Sequence, residues 1–317
     1  MTRAHIPQPV LDAAHARAAA RAAQDWGEAD RLRAEIEAAG WKVVDRGTDF
    51  ALSPAAPPDE LEGARVRYGS SASVPARFAD DDTGVATIVL IATDWPDDLA
   101  RTLAGLQAHA PAGTTTVIIA DGPSEAQAAA LEALPEDGAT EIVWTSARLG
   151  HAAATNVGLR RASGTFVVLV DTSIEPTGDV VTPLATALAD PAVAVAGGWG
   201  IVSADLRTFE DAPAGDVDAI EGYAMAFRRA DAADRGPLDE RFRFYRNLDI
   251  WWSLVLRDEG DGTPPRRAVR IEGLPVERHE HRGYTSLPDE DRDRQSKRNF
   301  YRIIDRFGSR RDLLTRG

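Results

Sequence analysis

The chain contains no cysteine, which excludes disulfide staples and thiolate metal sites. It has no surplus of positive charge. Its 36 Lys and Arg stand against 50 Asp and Glu, a formal net charge of −14, which argues against broad binding to a phosphate backbone. No run approaches the roughly 18 apolar residues needed to span a bilayer. The longest candidate, 191–202, is short, broken by glycine and reads as strand plus turn. No apolar stretch follows the opening MTRAHIPQP, so no signal peptide is expected and the expected location is cytoplasmic. A G-x-G-x-x-G dinucleotide fingerprint is also missing, which lowers the case for a dehydrogenase. The rest is ordinary globular composition, 44% hydrophobic and 27% charged over 317 residues. That length suits one large domain with a small one, or two ordinary domains.

The pattern divides the chain at a Pro/Ser/Gly-rich stretch. Residues 10–39 are rich in Ala, Arg and Glu at helical spacing, with Asp25 as an N-cap, Glu28 as its capping-box partner and Gly40 as a C-cap. Two short strands, 41–44 and 50–52, are expected around a turn. Residues 53–84, with SPAAPP, GSSAS and ADDDTG, read as a linker. From Ala86 onward short apolar strands alternate with helices: strand 86–92, helix 96–109, strand 115–120, a helix from Ser124, strand 141–145, helix 151–162 and strand 165–170. This order predicts an α/β domain over 85–317 with a mainly parallel sheet flanked by helices.

The segment 148–173, RLGHAAATNVGLRRASGTFVVLVDTS, carries the most chemistry. A glycine turn enters a small-residue helix, and a buried strand then delivers Asp171 to its carboxyl end, where open α/β sheets hold ligands. Asp121 ends an earlier strand in the same way, followed by Gly122. Downstream come EGYAMAFRR at 221–229, GPLDERF at 236–242 and LDIWWSLVLRDEG at 248–260.

These phrases resemble the nucleotide-sugar-binding core of family-2 glycosyltransferases. There N-x-G-x-x-x-A-x-N-x-G precedes A-x-G, an apolar strand and D-x-D. The resemblance implies the GT-A nucleotide-diphospho-sugar transferase fold. It implies a nucleotide-sugar donor held by Thr93, Asp94, Asp121, Gly122, Arg148, Gly150, Asn156, Asp171 and Ser173. A divalent cation, Mg or Mn, would be held by Asp171 with Glu175 and His281. An acceptor would lie beside Glu221, Gly222, Trp251 and Trp252, with Asp249 as general base. The implied activity is an inverting glycosyltransferase; the alternative is a degenerate, non-catalytic GT-A module that binds a nucleotide or a partner. The acceptor itself, sugar, lipid-linked or small-molecule, is left unnamed. Two positions depart from the pattern: Ser173 replaces the second carboxylate of D-x-D, and Leu248 replaces the Glu of an E-D pair.

Two peripheral segments complete the reading. An i, i+2 pair on a strand would turn His279 and His281 to one face. Residues 289–317 carry nine Lys/Arg against six Asp/Glu, a basic helix suited to peripheral membrane contact or to a lid over diphosphate. The stretch DWGEADRLRAEIEAAG, 25–40, resembles the small C-terminal helical domain of cysteinyl-tRNA synthetases, through D-[FW]-x-x-A-D-x-[IL]-R-x-x-[IL]-x-x-x-G. That resemblance implies tRNA contact. Seven Lys/Arg against eight Asp/Glu in residues 1–52 offer no basic face for phosphates, so packing or protein contact is the expected role.

Overall fold

The computed structural model describes residues 6–47, 49–135 and 137–315. The chain forms two compact units that meet in sequence at Pro58.

In the first unit α1 (Gln8–Ala22) and α2 (Trp26–Ala38) pack as a hairpin, followed by the antiparallel pair β1 (Trp41–Arg46) and β2 (Asp49–Pro54). Asp25 caps α2 by accepting the Glu28 N–H at 3.1 Å. The Glu28 carboxylate does not return the bond; it is held by Arg31. Val10, Ala14, Leu32, Ile36, Trp41 and Val43 form a small core. Arg17, 5% exposed, is bound at both terminal nitrogens by Asp45, at 2.7 and 3.2 Å.

The second unit begins with β3 (Glu60–Glu62) and β4 (Arg65–Tyr68). It continues with β5 (Ala86–Ala92), α3 (Pro96–His109), β6 (Thr114–Ala120), α4 (Glu125–Glu132), β7 (Thr140–Thr145), α5 (His151–Arg161) and β8 (Phe166–Val170). The next part holds β9 (Ile174–Pro176), α6 (Val181–Leu188), β10 (Val193–Gly197), β11 (Gly200–Ser203), β12 (Phe209–Asp211), β13 (Gly215–Val217), β14 (Ala219–Ile220) and β15 (Ala224–Arg228). Then follow α7 (Arg229–Arg235), α8 (Leu248–Arg257), β16 (Arg267–Arg270), β17 (Val276–Arg278), α9 (Arg282–Thr285) and α10 (Asp289–Phe307).

Ten strands form one sheet in the order β13-β16-β10-β15-β8-β5-β6-β7-β4-β3. From β4 to β8 every pairing is parallel, while β15 enters antiparallel between β8 and β10. The central strands are apolar on both faces because helices cover both. Val89, Val117 and Ile119 point into one core; Ile88, Leu90 and Ile118 point into the other.

The expected linker at 53–84 is corrected by this topology. Residues 53–54 close β2, and β3 and β4 join the main sheet, β4 pairing in parallel with β7. Arg65 and Arg67 lie over the Trp144 ring at 4.3 and 4.9 Å. Arg229, 6% exposed, donates to the carbonyls of Arg77 and Asp80 and to the Asp82 carboxylate, which pins the stretch before β5. Order here comes from buried cations satisfying backbone carbonyls, so the segment needs few large apolar residues of its own.

Candidate functional site

A cleft of about 660 Å³ opens beyond the carboxyl ends of β5 and β8. Thr93, His151, Asp171, Glu221, Asp249 and His281 are on its wall. Consecutive parallel strands bring their C-terminal residues to one edge of the sheet, which is why groups distant in sequence meet there.

Asp121 is 2% exposed just beyond the end of β6. Its carboxylate accepts the Leu149 N–H at 2.7 Å, the Gly150 N–H at 3.2 Å and the Thr145 hydroxyl at 3.4 Å. Burial raises its pKa against the opposing pull of those amides. Asp121 thus ties down the loop that opens α5, rather than lining the cleft. Gly122, φ 54°, could not carry a side chain, since a Cβ would fall 2.5 Å from the Arg148 nitrogen. Gly150, φ 101°, meets the Arg243 backbone in the same manner at 3.0 Å. Arg148 is exposed and reaches Asp94 at 2.8 Å and the Gly122 carbonyl at 3.1 Å. Asn156 is buried within α5. It bonds Leu238 through both its amide atoms and also Glu240, so it fastens the 238–240 loop rather than touching the cleft.

Asp171 sits at the centre. Its Oδ1 accepts the Ser173 N–H at 2.8 Å and the Ser173 hydroxyl, and its Oδ2 lies 3.2 Å from His281 Nε2. Burial pushes Asp171 upward, but His281 and Ser173 outweigh it and hold the carboxyl at about 2. For His281, burial acts downward and Asp171 more than reverses it, raising the imidazole. His281 is the N-cap of α9: its Nδ1 accepts the Tyr284 N–H at 3.1 Å. Tyr245 stacks on the His281 ring at 4.5 Å and 17°. His151 faces the same group; burial, partly countered by Asp171, lowers it to about 4, so it is neutral at physiological pH.

The ion-binding set expected from sequence is not assembled. Glu175, on β9, is bound by His279 Nε2 at 2.7 Å, and Arg101 stands 3.9 Å away. Its partners are Glu277 and His279, whose ligand atoms and its own lie within 4.8 Å of one another. His279 and His281 also do not share a strand face, since β17 ends at Arg278 and His281 starts a helix. Around Asp171, Oδ1 is taken by Ser173, and Oδ2 faces one further group. That group, His281 Nε2, carries the ring proton because Nδ1 accepts the Tyr284 amide. A hard divalent ion takes six or more oxygen-rich ligands, and these residues do not fit that demand.

Across the cleft, Asp249 lies in the first turn of α8 and is half-buried. Its Oδ2 accepts the Gly222 N–H at 2.9 Å and its Oδ1 the Ile250 N–H at 2.9 Å. Burial raises Asp249, with the two amides opposing. Glu221 is raised by burial first and then by the charges of Asp249 and Asp211. Asn247, just before α8, holds a left-handed backbone, φ 69°, and donates to the Ser296 carbonyl at 3.0 Å. Of the two tryptophans expected here, Trp252 borders the cleft and Trp251 does not. Trp251 packs against Phe242 and Arg306 away from the cleft, and Trp252, 1% exposed, is enclosed by Phe227 and Trp251. Neither offers an open ring face for stacking on a sugar. Other aromatics on the cleft include Tyr223 and Tyr245, which sequence reasoning missed, as it missed His151, Arg246 and Lys297. Only His151 carried a signal, as the residue after the turn glycine, Gly150.

Residues 87–244 match the family described as Glycosyl transferase family 2. A crystal structure of GalNAc-T7 with UDP, GalNAc and Mn²⁺ is similar at 14% identity and a TM-score of 0.55, over 71% of this chain and 48% of that one. The mannosyltransferase PcManGT from Pyrobaculum calidifontis, solved with GDP-Man and Mn²⁺, is similar at 18% identity and a TM-score of 0.52, over 75% and 73%. A cysteine–tRNA ligase from Opitutus terrae is 45% identical over 53 residues, 17% of this chain, and the chain spans only 12% of that relative's length. Among the described residues no helix is long and apolar enough to cross a membrane. The matched segment, the parallel half-sheet and the cleft at its carboxyl edge agree: the chain belongs to glycosyl transferase family 2.

Proposed function

We propose that this cleft transfers a sugar from a nucleoside-diphosphate donor to an acceptor hydroxyl with inversion, and that Asp249 is the general base. The carrying observation is Asp249 itself. It is half-buried on the cleft wall, fixed by the Gly222 and Ile250 amides, and raised by burial toward the range where a carboxylate takes up a proton. In the step, the acceptor oxygen forms a bond to the anomeric carbon as its proton passes to Asp249. The bond from that carbon to the diphosphate breaks, and its electron pair leaves on the phosphate oxygen. Tyr245, His281 and Asp171 form a stacked, hydrogen-bonded wall beside the donor, and Gly222 leaves the approach to Asp249 free of a side chain.

The test is release of nucleoside diphosphate from UDP-, GDP- and dTDP-sugars with simple glycosides as acceptors. Asp249→Asn keeps the shape and both amide contacts to oxygen short of one, and removes the proton acceptor. It should lower transfer by about 10²–10⁴-fold while donor affinity persists. Transfer that survives the substitution, or a product of retained anomeric configuration by NMR, would overturn the assignment.

A further inference from the structure

The donor reading raises an electrostatic problem. A nucleoside diphosphate brings negative charge, and breaking the glycosyl bond adds more to its terminal phosphate. In this cleft that charge would meet Asp171, a carboxylate held ionised by Ser173 and His281. The remedy of a bridging divalent ion needs oxygen ligands that the described residues do not assemble around Asp171; Glu175 groups with Glu277 and His279 instead. Ser173 donates its hydroxyl to Asp171, Glu175 is taken by His279, and the proton on His281 Nε2 already faces Asp171.

Cations are present instead, on the wall that carries His281. Arg246 follows Tyr245, the residue stacked on the His281 ring. Arg282 follows His281 at the start of α9, and Lys297 projects from α10. All three are exposed along the cleft. Arg246 and Lys297 have no ion-pair partner among the described residues, Arg246 lies over the Tyr284 ring at 5.5 Å, and Arg282 pairs with Asp98 at 3.5 Å. Three separate elements therefore bring positive charge to a cleft that Asp171, Glu221 and Asp249 also line, in a protein whose overall charge is −14. Charge gathered against the overall bias needs a ligand to account for it, and guanidinium and ammonium groups suit phosphate oxygens.

We propose that Arg246, Arg282 and Lys297 bind and stabilise the leaving diphosphate in the role that a divalent ion would fill, so that donor binding is independent of metal. This rests on the donor reading above, and it assigns the basic α10 to the active cleft. Guanidinium groups would take the non-bridging oxygens and the Lys297 ammonium the terminal phosphate, as charge develops there on bond cleavage.

The experiment is calorimetry on the full chain with UDP, GDP and dTDP as probes, each in EDTA and in Mn²⁺. The expected result is binding of at least one diphosphate with the same affinity, within about threefold, in both conditions. Arg246→Ala with Lys297→Ala should weaken that binding by about tenfold or more, since both lost contacts are charge-assisted and solvent-screened. The matching nucleoside monophosphate should be weakened much less, which a general loss of structure would not produce. Binding that appears only with Mn²⁺ would overturn this proposal and leave the donor reading standing, as would binding unchanged in the double variant. Binding to none of the diphosphates in either condition, with the fold intact by circular dichroism, would remove the donor reading and this inference with it.

Discussion

Removing the Asp121 carboxylate tests whether the residue holds a loop or holds a ligand. In Asp121→Ala the N–H groups of Leu149 and Gly150 lose their acceptor at a site only 2% exposed. Two charge-assisted bonds at about 1.5–3 kcal/mol each would sum to about 3–6 kcal/mol. Burying an ionised carboxylate works against them, as its raised pKa records, and the variant no longer bears that cost. The net expected loss is about 2–4 kcal/mol. For a unit of this size that is a fall of about 5–15 °C in Tm. Asp121→Asn keeps one acceptor and turns an NH₂ toward the other amide, so its loss should be smaller, about 1–2 kcal/mol. Urea unfolding followed by tryptophan fluorescence and by circular dichroism measures both. An alanine variant that loses less than about 1 kcal/mol but no longer binds UDP, GDP or dTDP would refute the reasoning. Asp121 would then be a ligand contact, as the family resemblance implies.

Two further outcomes follow from packing and from charge. A Cβ on Gly158 would fall 2.4 Å from Val89 Cγ1 and 3.0 Å from Ile119 Cδ1. Gly158→Ala should therefore destabilise by about 1–2 kcal/mol in urea titration, overpacking outweighing the gain in helix propensity; a stabilised variant would mean the β5–β6 face yields freely. His151, lowered by burial from 6.5 to about 4, binds a proton in the unfolded chain before it does in the folded one. Its contribution to stability is thus whole above pH 6.5 and is lost as the pH falls toward 4, with a slope of up to about 1.4 kcal/mol per pH unit. His151→Asn should flatten that part of the pH–stability curve, and equal slopes in the two proteins would count against a buried neutral imidazole.

The parallel half of the sheet was legible because its strands are runs of β-branched residues between glycine and polar turns. Strands 86–92, 114–120, 140–145 and 166–170 lie within a residue or so of their expected ends. Capping chemistry was legible at Asp25, whose side chain takes the expected amide, and at Ser124, which accepts the Gln127 N–H. The stretch 59–84 was not, because what orders it is remote in sequence. Arg160 and Arg229 satisfy its carbonyls, and Trp144 supplies an aromatic face for Arg65 and Arg67. No local periodicity records such contacts. The site divides in the same way. That Asp121, Asp171 and Asp249 stand at strand or helix ends follows from local pattern. Which histidine meets which carboxylate does not: His279 and His281 lie two residues apart, yet one turns to Glu175 and the other to Asp171. The helix that starts at Arg282 makes His281 a cap and breaks the strand alternation that would have aligned the pair.

The two departures from the family pattern make sense together. Ser173 is 3% exposed and gives both its amide and its hydroxyl to Asp171. A carboxylate at that position would bury a second negative charge against Asp171, a state that requires a bound cation to be tolerable. Leu248 is 4% exposed in the core beneath the cleft, where an acid would be desolvated beside Asp249 and Glu221. Each replacement leaves one carboxylate fewer beside an existing one, Asp171 or Asp249. Had the site merely decayed, the remaining carboxylates would be free to lose their partners as well. Asp171 instead keeps three donors and Asp249 keeps two backbone amides. Arg246, Arg282 and Lys297 stand on the same cleft. Negative charge absent at Ser173 and Leu248, with cations standing on the same cleft, is the arrangement expected if diphosphate is handled by side chains alone, as proposed above.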